Sequence, residues 1–302
     1  MKWVAIAALI TVFLAVGSGV LAHFIRSADA SPKLLLDQER RQRERDYRFN
    51  LPDQELTVRW TPNQDAVEKG RFLYTINCMT CHGFNGDGNP VTPEGLPINP
   101  RDFTGKSHIN QKVMFKYKSL NKTDALALDE DLKKTIKEGL PGTPMPGFSI
   151  LSDDDLNSLL EYIKTFAYEV WRYEQPAGPV LQVPPVPEDL MSQVRVDGGR
   201  TLFTGRGCMA CHGNIEQGAK PPVALPTEWK DESGNTISVL PRNFAVDPIR
   251  RPSPPDIFTT IRLGIGGTVM PANPVSDEET WNLIAYVLHL RQLGVEGKIP
   301  SQ

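Results

Sequence analysis

Apolar positions run almost without interruption from Trp3 to Ile25, bounded by Lys2 and Arg26. That length suits the ~20 residues of a membrane-spanning helix. From Ser31 to Phe49 the pattern changes: Asp37, Glu39, Arg40, Arg41, Arg43, Glu44, Arg45 and Asp46 interleave both signs, which predicts a solvated helix. Further on, helical patterns alternate with long loops. Ser152 opens one helix, with Asp153, Asp154 and Asp155 at its positive end and Leu159, Leu160, Tyr162, Ile163 and Phe166 along it. Ser276-Asp277-Glu278-Glu279 reads as a capping box, followed by a helix through Trp281, Ile284, Tyr286 and Leu288. The expectation is a mainly α protein.

The polar and apolar patterns also repeat. Gly70-Arg71-Phe72-Leu73-Tyr74 aligns with Gly199-Arg200-Thr201-Leu202-Phe203. Asn99-Pro100-Arg101-Asp102-Phe103 aligns with Leu240-Pro241-Arg242-Asn243-Phe244, and Gly142-Thr143-Pro144-Met145-Pro146 with Gly267-Thr268-Val269-Met270-Pro271. Two similar domains are the economical reading, and a period this long excludes a solenoid. Between them, Gln175-Pro176-Ala177-Gly178-Pro179 and Pro184-Pro185-Val186-Pro187 favour an extended, stiff connector. The resulting layout is an anchor (1–26), a charged stalk (27–61), a first domain (62–173), a Pro-rich linker (174–188) and a second domain (189–302). The second half lacks the Gly86-Asp87-Gly88 turn and carries instead a longer stretch from Lys220 to Leu240, with Trp229 and Gly234-Asn235, that predicts a polar hairpin.

Composition narrows the class. The 302 residues are 40% hydrophobic and 23% charged with a net charge of -3, which argues against disorder, collagen and polytopic membrane folds. The near-neutral balance gives no electrostatic reason to expect nucleic acid. A cleaved signal peptide is the alternative for the first segment, because Ala28-Asp29-Ala30 resembles a cleavage site. The apolar run, however, is longer than the ~7–15 residues of a signal core. An uncleaved anchor is therefore expected. The basic residues after the span would by themselves place the body in the cytoplasm.

All four cysteines fall in two copies of one pattern, Cys78-Met79-Thr80-Cys81-His82 and Cys208-Met209-Ala210-Cys211-His212. In C-x-x-C-H, two thiols one helical turn apart can each add to a haem vinyl group while the adjacent histidine points at the iron. A redox dithiol or a four-cysteine zinc site would leave the two histidines unexplained. Haem attachment to thiols belongs outside the cytoplasm and overrules the charge asymmetry around the span.

What a haem does depends on its sixth ligand. Met145 lies 63 residues after His82 and Met270 lies 58 after His212, each in a Gly-Thr-x-Met-Pro loop before the last helix of its half. Met114 and Met191 have no partner at the aligned position, and His108 is the rival ligand for the first haem. Arg101 and Arg242 occupy equivalent places, either binding a haem propionate through the guanidinium or sitting as exposed turn residues.

These features together resemble class I cytochromes c, in tandem, from about Asp65 to Leu290. The finer pattern of Gly86-Asp87-Gly88, Pro100-Arg101-Asp102-Phe103-Thr104, Phe115-Lys116-Tyr117-Lys118 and the Met145 loop resembles membrane-associated cytochromes of quinol-oxidising complexes, such as alternative complex III and bc-type assemblies. The resemblance implies two covalently bound haem c groups, with thioether bonds at Cys78, Cys81, Cys208 and Cys211. It implies His82 and His212 as proximal ligands of the iron and Met145 and Met270 as distal ones.

The function expected is single-electron transfer between a membrane-bound oxidoreductase complex and a soluble carrier or terminal oxidase. The chain would be a single-pass membrane protein, held in the bilayer by its first helix, with its haem domains on the periplasmic or extracytoplasmic side. It would be a carrier or electron-transfer subunit with no catalytic residue of its own. The alternative is a two-haem peroxidase-like enzyme with one open iron, against which the near-identical Met-Pro loops argue.

Overall fold

The computed structural model describes residues 58–91, 96, 100–105, 115–120, 126–173, 176, 178–230 and 235–300. The expected anchor, the stalk up to residue 57, His23, His108 and Met114 lie outside them. No helix among the described residues is long and apolar enough to cross a membrane.

The first half runs α1 (Gln64–Asn77), α2 (Met79–His82), α3 (Asp129–Glu138), α4 (Asp153–Thr165) and α5 (Tyr168–Tyr173). The second runs α6 (Gln193–Gly205), α7 (Cys208–His212), β1 (Leu225–Lys230), β2 (Thr236–Val239), α8 (Pro254–Leu263) and α9 (Asp277–Val295). Helix starts follow the local chemistry. Ser152 Oγ accepts from Asp155 N at 3.1 Å while the Asp155 carboxylate accepts from Ser152 N at 3.1 Å. Ser276 and Glu279 form the same reciprocal pair at 3.2 and 2.8 Å. Each pair satisfies two amides that the helix leaves unbonded at its first turn.

In each half the first helix crosses a later one at a glycine, α1 on α4 and α6 on α9. A Cβ on Gly70 would lie 1.9 Å from the Ser158 carbonyl oxygen, and one on Gly199 would lie 1.9 Å from that of Asn282. Only a residue without a side chain lets the backbones approach so closely. Gly199→Ala is therefore expected to destabilise the holoprotein by about 1–3 kcal/mol or more, the usual cost of forced overpacking. Thermal unfolding checks this, and an unchanged midpoint would show that the crossing can relax freely.

The crossings seed two separate cores. Tyr74, Tyr162 and Phe166 meet with ring centroids 5.1–5.3 Å apart in the first. Phe203 and Tyr286 meet at 5.4 Å in the second. The halves differ where the sequence does: Asn157 on α4 is exposed, while Trp281 at the matching turn of α9 is 3% exposed and packs on Phe258 at 4.8 Å.

The hairpin expected between Lys220 and Leu240 forms as the antiparallel pair β1–β2. It is less polar in its setting than its composition implies, because Thr227 and Trp229 alternate inward and are buried. Its backbone is tied to the second Gly-Thr loop by Glu228 N donating to Gly267 O at 2.9 Å.

The two halves pack on each other. Arg251, nearly buried, reaches Glu138 at 3.3 Å and the Asp131 carbonyl on α3 at 3.4 Å. Lys134 pairs with Asp256 at 2.8 Å. The Pro-rich segment also adheres to the first half, with Leu181 N donating to Ser119 O at 2.8 Å.

Candidate haem sites

Each C-x-x-C-H motif is a single helical turn closed by glycine. His82 N donates to Cys78 O at 2.8 Å, and Gly83 follows with φ +80°. Gly213 follows His212 with φ +74°. At both places a Cβ would strike a neighbouring carbonyl oxygen, that of Asn89 at 2.5 Å or Lys220 at 2.7 Å. The turn sets Cys78 and Cys81 three residues apart with His82 beside them, and repeats this at Cys208, Cys211 and His212. All four thiols are free, and burial pushes Cys78 up to about 12.

The imidazoles are oriented by the backbone. His82 Nδ1 lies 3.0 Å from the Arg101 carbonyl, and His212 Nδ1 lies 2.9 Å from the Arg242 carbonyl. A carbonyl only accepts, so Nδ1 carries the proton and the Nε2 lone pair is free to bind a metal. Burial lowers the pKa of both histidines, which favours this neutral form.

Phenylalanine braces each ring. Phe103 stacks on His82 at 4.4 Å with 20° between planes, and Phe244 lies 4.7 Å from His212. The loops that present these groups are Asx turns: Asp102 Oδ1 accepts from Thr104 N at 2.7 Å, and Asn243 Oδ1 accepts from Ala245 N at 3.1 Å. The aligned Pro-Arg-Asp-Phe and Pro-Arg-Asn-Phe motifs thus supply a carbonyl and a ring to the histidine. Sequence reasoning considered only the arginine side chains here, although the repeat itself was the signal that could have identified Phe103 and Phe244.

The methionine loops share one hydrogen-bond frame. In the first, Leu140 N donates to Met145 O at 3.2 Å, Thr143 Oγ donates to Leu140 O at 2.7 Å, and Met145 N donates to Thr143 Oγ at 3.2 Å. In the second, Ile265, Thr268 and Met270 make the same three bonds at 3.2, 2.8 and 3.1 Å. The threonine hydroxyl, as both donor and acceptor, explains why Gly-Thr-x-Met recurs. Met145 packs against the same core as Cys78, Phe115 and Phe148. Met270 is partly buried and is not among the residues packed on the second core.

The residues fit a covalently held iron porphyrin. Two thiols sit one turn apart beside an imidazole whose tautomer leaves Nε2 available. Among the described residues no group of three or more His, Cys, Asp or Glu could hold a metal ion, so the two cysteine pairs do not converge on a zinc site. Met191 is exposed, and His289 lies on α9.

A family model described as Cytochrome c matches residues 67–167 and 196–291. Among solved structures, the chain is similar to one from Kuenenia stuttgartiensis described as the reducing HAO-like protein complex Kustc0457/Kustc0458. The identity is 26% and the TM-score 0.60, over 78% of this chain and 99% of that one. No curated protein matches.

Proposed function

The chain belongs to the cytochrome c family, and from that premise we propose that it is a membrane-tethered two-haem protein that passes single electrons. Its place would be between a membrane-bound oxidoreductase complex and a soluble carrier or terminal oxidase, on the extracytoplasmic side. The observation that carries this reading is that both halves build the same site: a carbonyl-oriented histidine, a phenylalanine packed against its ring and a threonine-framed methionine loop.

Family membership implies covalently bound haem c, which supplies a one-electron iron couple when bound. The chain's own residues do the rest. Cys78, Cys81, Cys208 and Cys211 would anchor the cofactor, and His82 and His212 would offer Nε2 to the iron. Met145 and Met270 would offer thioether sulfur, from loops framed by the Thr143 and Thr268 hydroxyls. Phe103 is buried beside His82, while Phe244 is partly buried beside His212. Such a site favours fast electron exchange over chemistry at an open iron.

The place in a complex is supported by the similarity to a chain of an HAO-like protein complex. The tether is supported by the apolar run from Trp3 to Ile25.

A redox titration of detergent-extracted full-length protein, followed by near-infrared magnetic circular dichroism, tests the electron-transfer reading. Two low-spin haems with sulfur-to-iron charge-transfer bands are expected. A high-spin haem would overturn the carrier assignment, and a bis-histidine haem would overturn the methionine ligation. In the same preparation, replacing residues 1–30 by a cleavable export signal is expected to move the protein to the soluble fraction, and retention in the membrane would overturn the tether.

A further inference from the structure

Besides the Arg251–Glu138 and Lys134–Asp256 pairs, the seam between the two halves gathers four further cations. From the first half come Arg101 and Lys116; from the second come Arg242 and Arg250. All four are partly buried. Each is close enough to feel at least one of the others: Lys116 is held far below the usual lysine range, to about 6, by burial and then by Arg101, Arg250 and Arg242. Arg250 is likewise lowered by burial and by Arg242.

None of the four makes an ion pair among the described residues, although fourteen other pairs there do. Asp102, the acid beside Arg101, is committed to the amide and hydroxyl of Thr104. Arg250 Nε is buried with no hydrogen-bond partner.

Two of the four share a centre. Trp229, on the hairpin of the second half, carries the Lys116 ammonium 3.8 Å from its ring centroid and the Arg101 guanidinium at 4.7 Å. The same indole closes on Gly267 of the second methionine loop, where a Cβ would lie 2.8 Å from the ring. Meanwhile the carbonyls of Arg101 and Arg242 orient the two histidines. The backbone that positions each proximal histidine therefore leads directly into one common cluster of cations.

Like charges gathered in a partly desolvated seam repel, so Lys116 tends to shed its proton there, and an anion in the seam would restore its charge. Each haem c carries two carboxylates, so two haems supply as many negative charges as the seam has positive ones. We propose that Arg101, Lys116, Arg242 and Arg250 form a single carboxylate site, shared by the two halves, that takes propionates from both haems. The inference rests on the two-haem reading above. Its consequence is electrostatic coupling: a charge removed from the seam acts on both irons, because neither haem owns the site.

The test uses full-length holoprotein carrying Lys116→Met. Ferric haem has one more positive charge than ferrous, so losing a nearby cation favours the ferric form. Both components of the redox titration are expected to move to lower potential, with the ferric-to-ferrous ratio at fixed potential rising severalfold; a tenfold rise equals ~59 mV for a one-electron couple. Lys116→Arg keeps the charge and is expected to keep both potentials. Should Lys116→Met fail to accumulate as folded holoprotein, Arg250→Gln carries the same expectation.

A shift confined to one component, or no shift, overturns the shared site. Haem content measured on the same samples separates the two claims. Fewer than two haems in the unsubstituted protein overturns the reading beneath the inference, whereas two haems with unmoved potentials overturns the seam alone.

Discussion

Met270→Ala is expected to turn one of the two proposed haems into an open iron while the other stays closed. The thioether is a neutral ligand that stabilises ferrous iron, so its loss is expected to lower that haem's potential and let water take its place. Carbon monoxide should then bind one haem per chain in the reduced protein, and about half of the Soret change of a fully open protein should appear. Met145→Ala should do the same at the other haem. The loop itself should survive either change, since its three hydrogen bonds come from Thr143 or Thr268 and the backbone rather than from the sulfur. The measurement is carbon monoxide difference spectroscopy beside a two-component redox titration. A substituted protein that binds no carbon monoxide would remove that methionine from the iron.

The second large effect concerns attachment. Replacing both Cys78 and Cys81 by Ser leaves the first haem with no covalent link, and the same pair of changes at Cys208 and Cys211 frees the second. Each doubly substituted chain is expected to hold one covalent haem instead of two, measured as pyridine haemochrome per chain and as haem fluorescence on a denaturing gel. The two variants are not expected to be equally stable. Cys78 packs against the first core along with Met145, so the first half loses a bridge between its helices and its methionine loop. Cys208 packs on the second core in the same way, but Cys211 is exposed and Met270 is not packed there. The first pair of substitutions should therefore lower the thermal midpoint more than the second. Two covalent haems in either variant would show that attachment does not use these thiols.

Much of this protein is legible along the chain because it depends on neighbours in sequence. Ser152 and Ser276 announce helices, since a side chain reaches an amide only three residues away. The two C-x-x-C-H turns and the two Gly-Thr-x-Met loops are equally local, each closed by hydrogen bonds spanning a few residues. The repeat locates Gly70 and Gly199, although only the structure gives the reason for them, the carbonyls of Ser158 and Asn282 pressed against their α-carbons.

The remainder joins residues far apart in the chain. His82 meets the carbonyl of Arg101 across 19 residues and His212 meets that of Arg242 across 30, and a main-chain acceptor leaves no mark on residue identity. The sequence pointed to these arginines for their side chains, yet in each case the carbonyl orients the histidine while the charge lies in a different setting. Trp229 looked like part of a polar hairpin and is instead buried against Lys116, 113 positions earlier. Sequence alone thus determined the two C-x-x-C-H turns, the two Gly-Thr-x-Met loops and the helix starts beside them, because bonding within a turn is encoded where it occurs. Only the tertiary structure decided how the histidines are held and that four cations from both halves meet, because those depend on how two cores pack and not on any one segment.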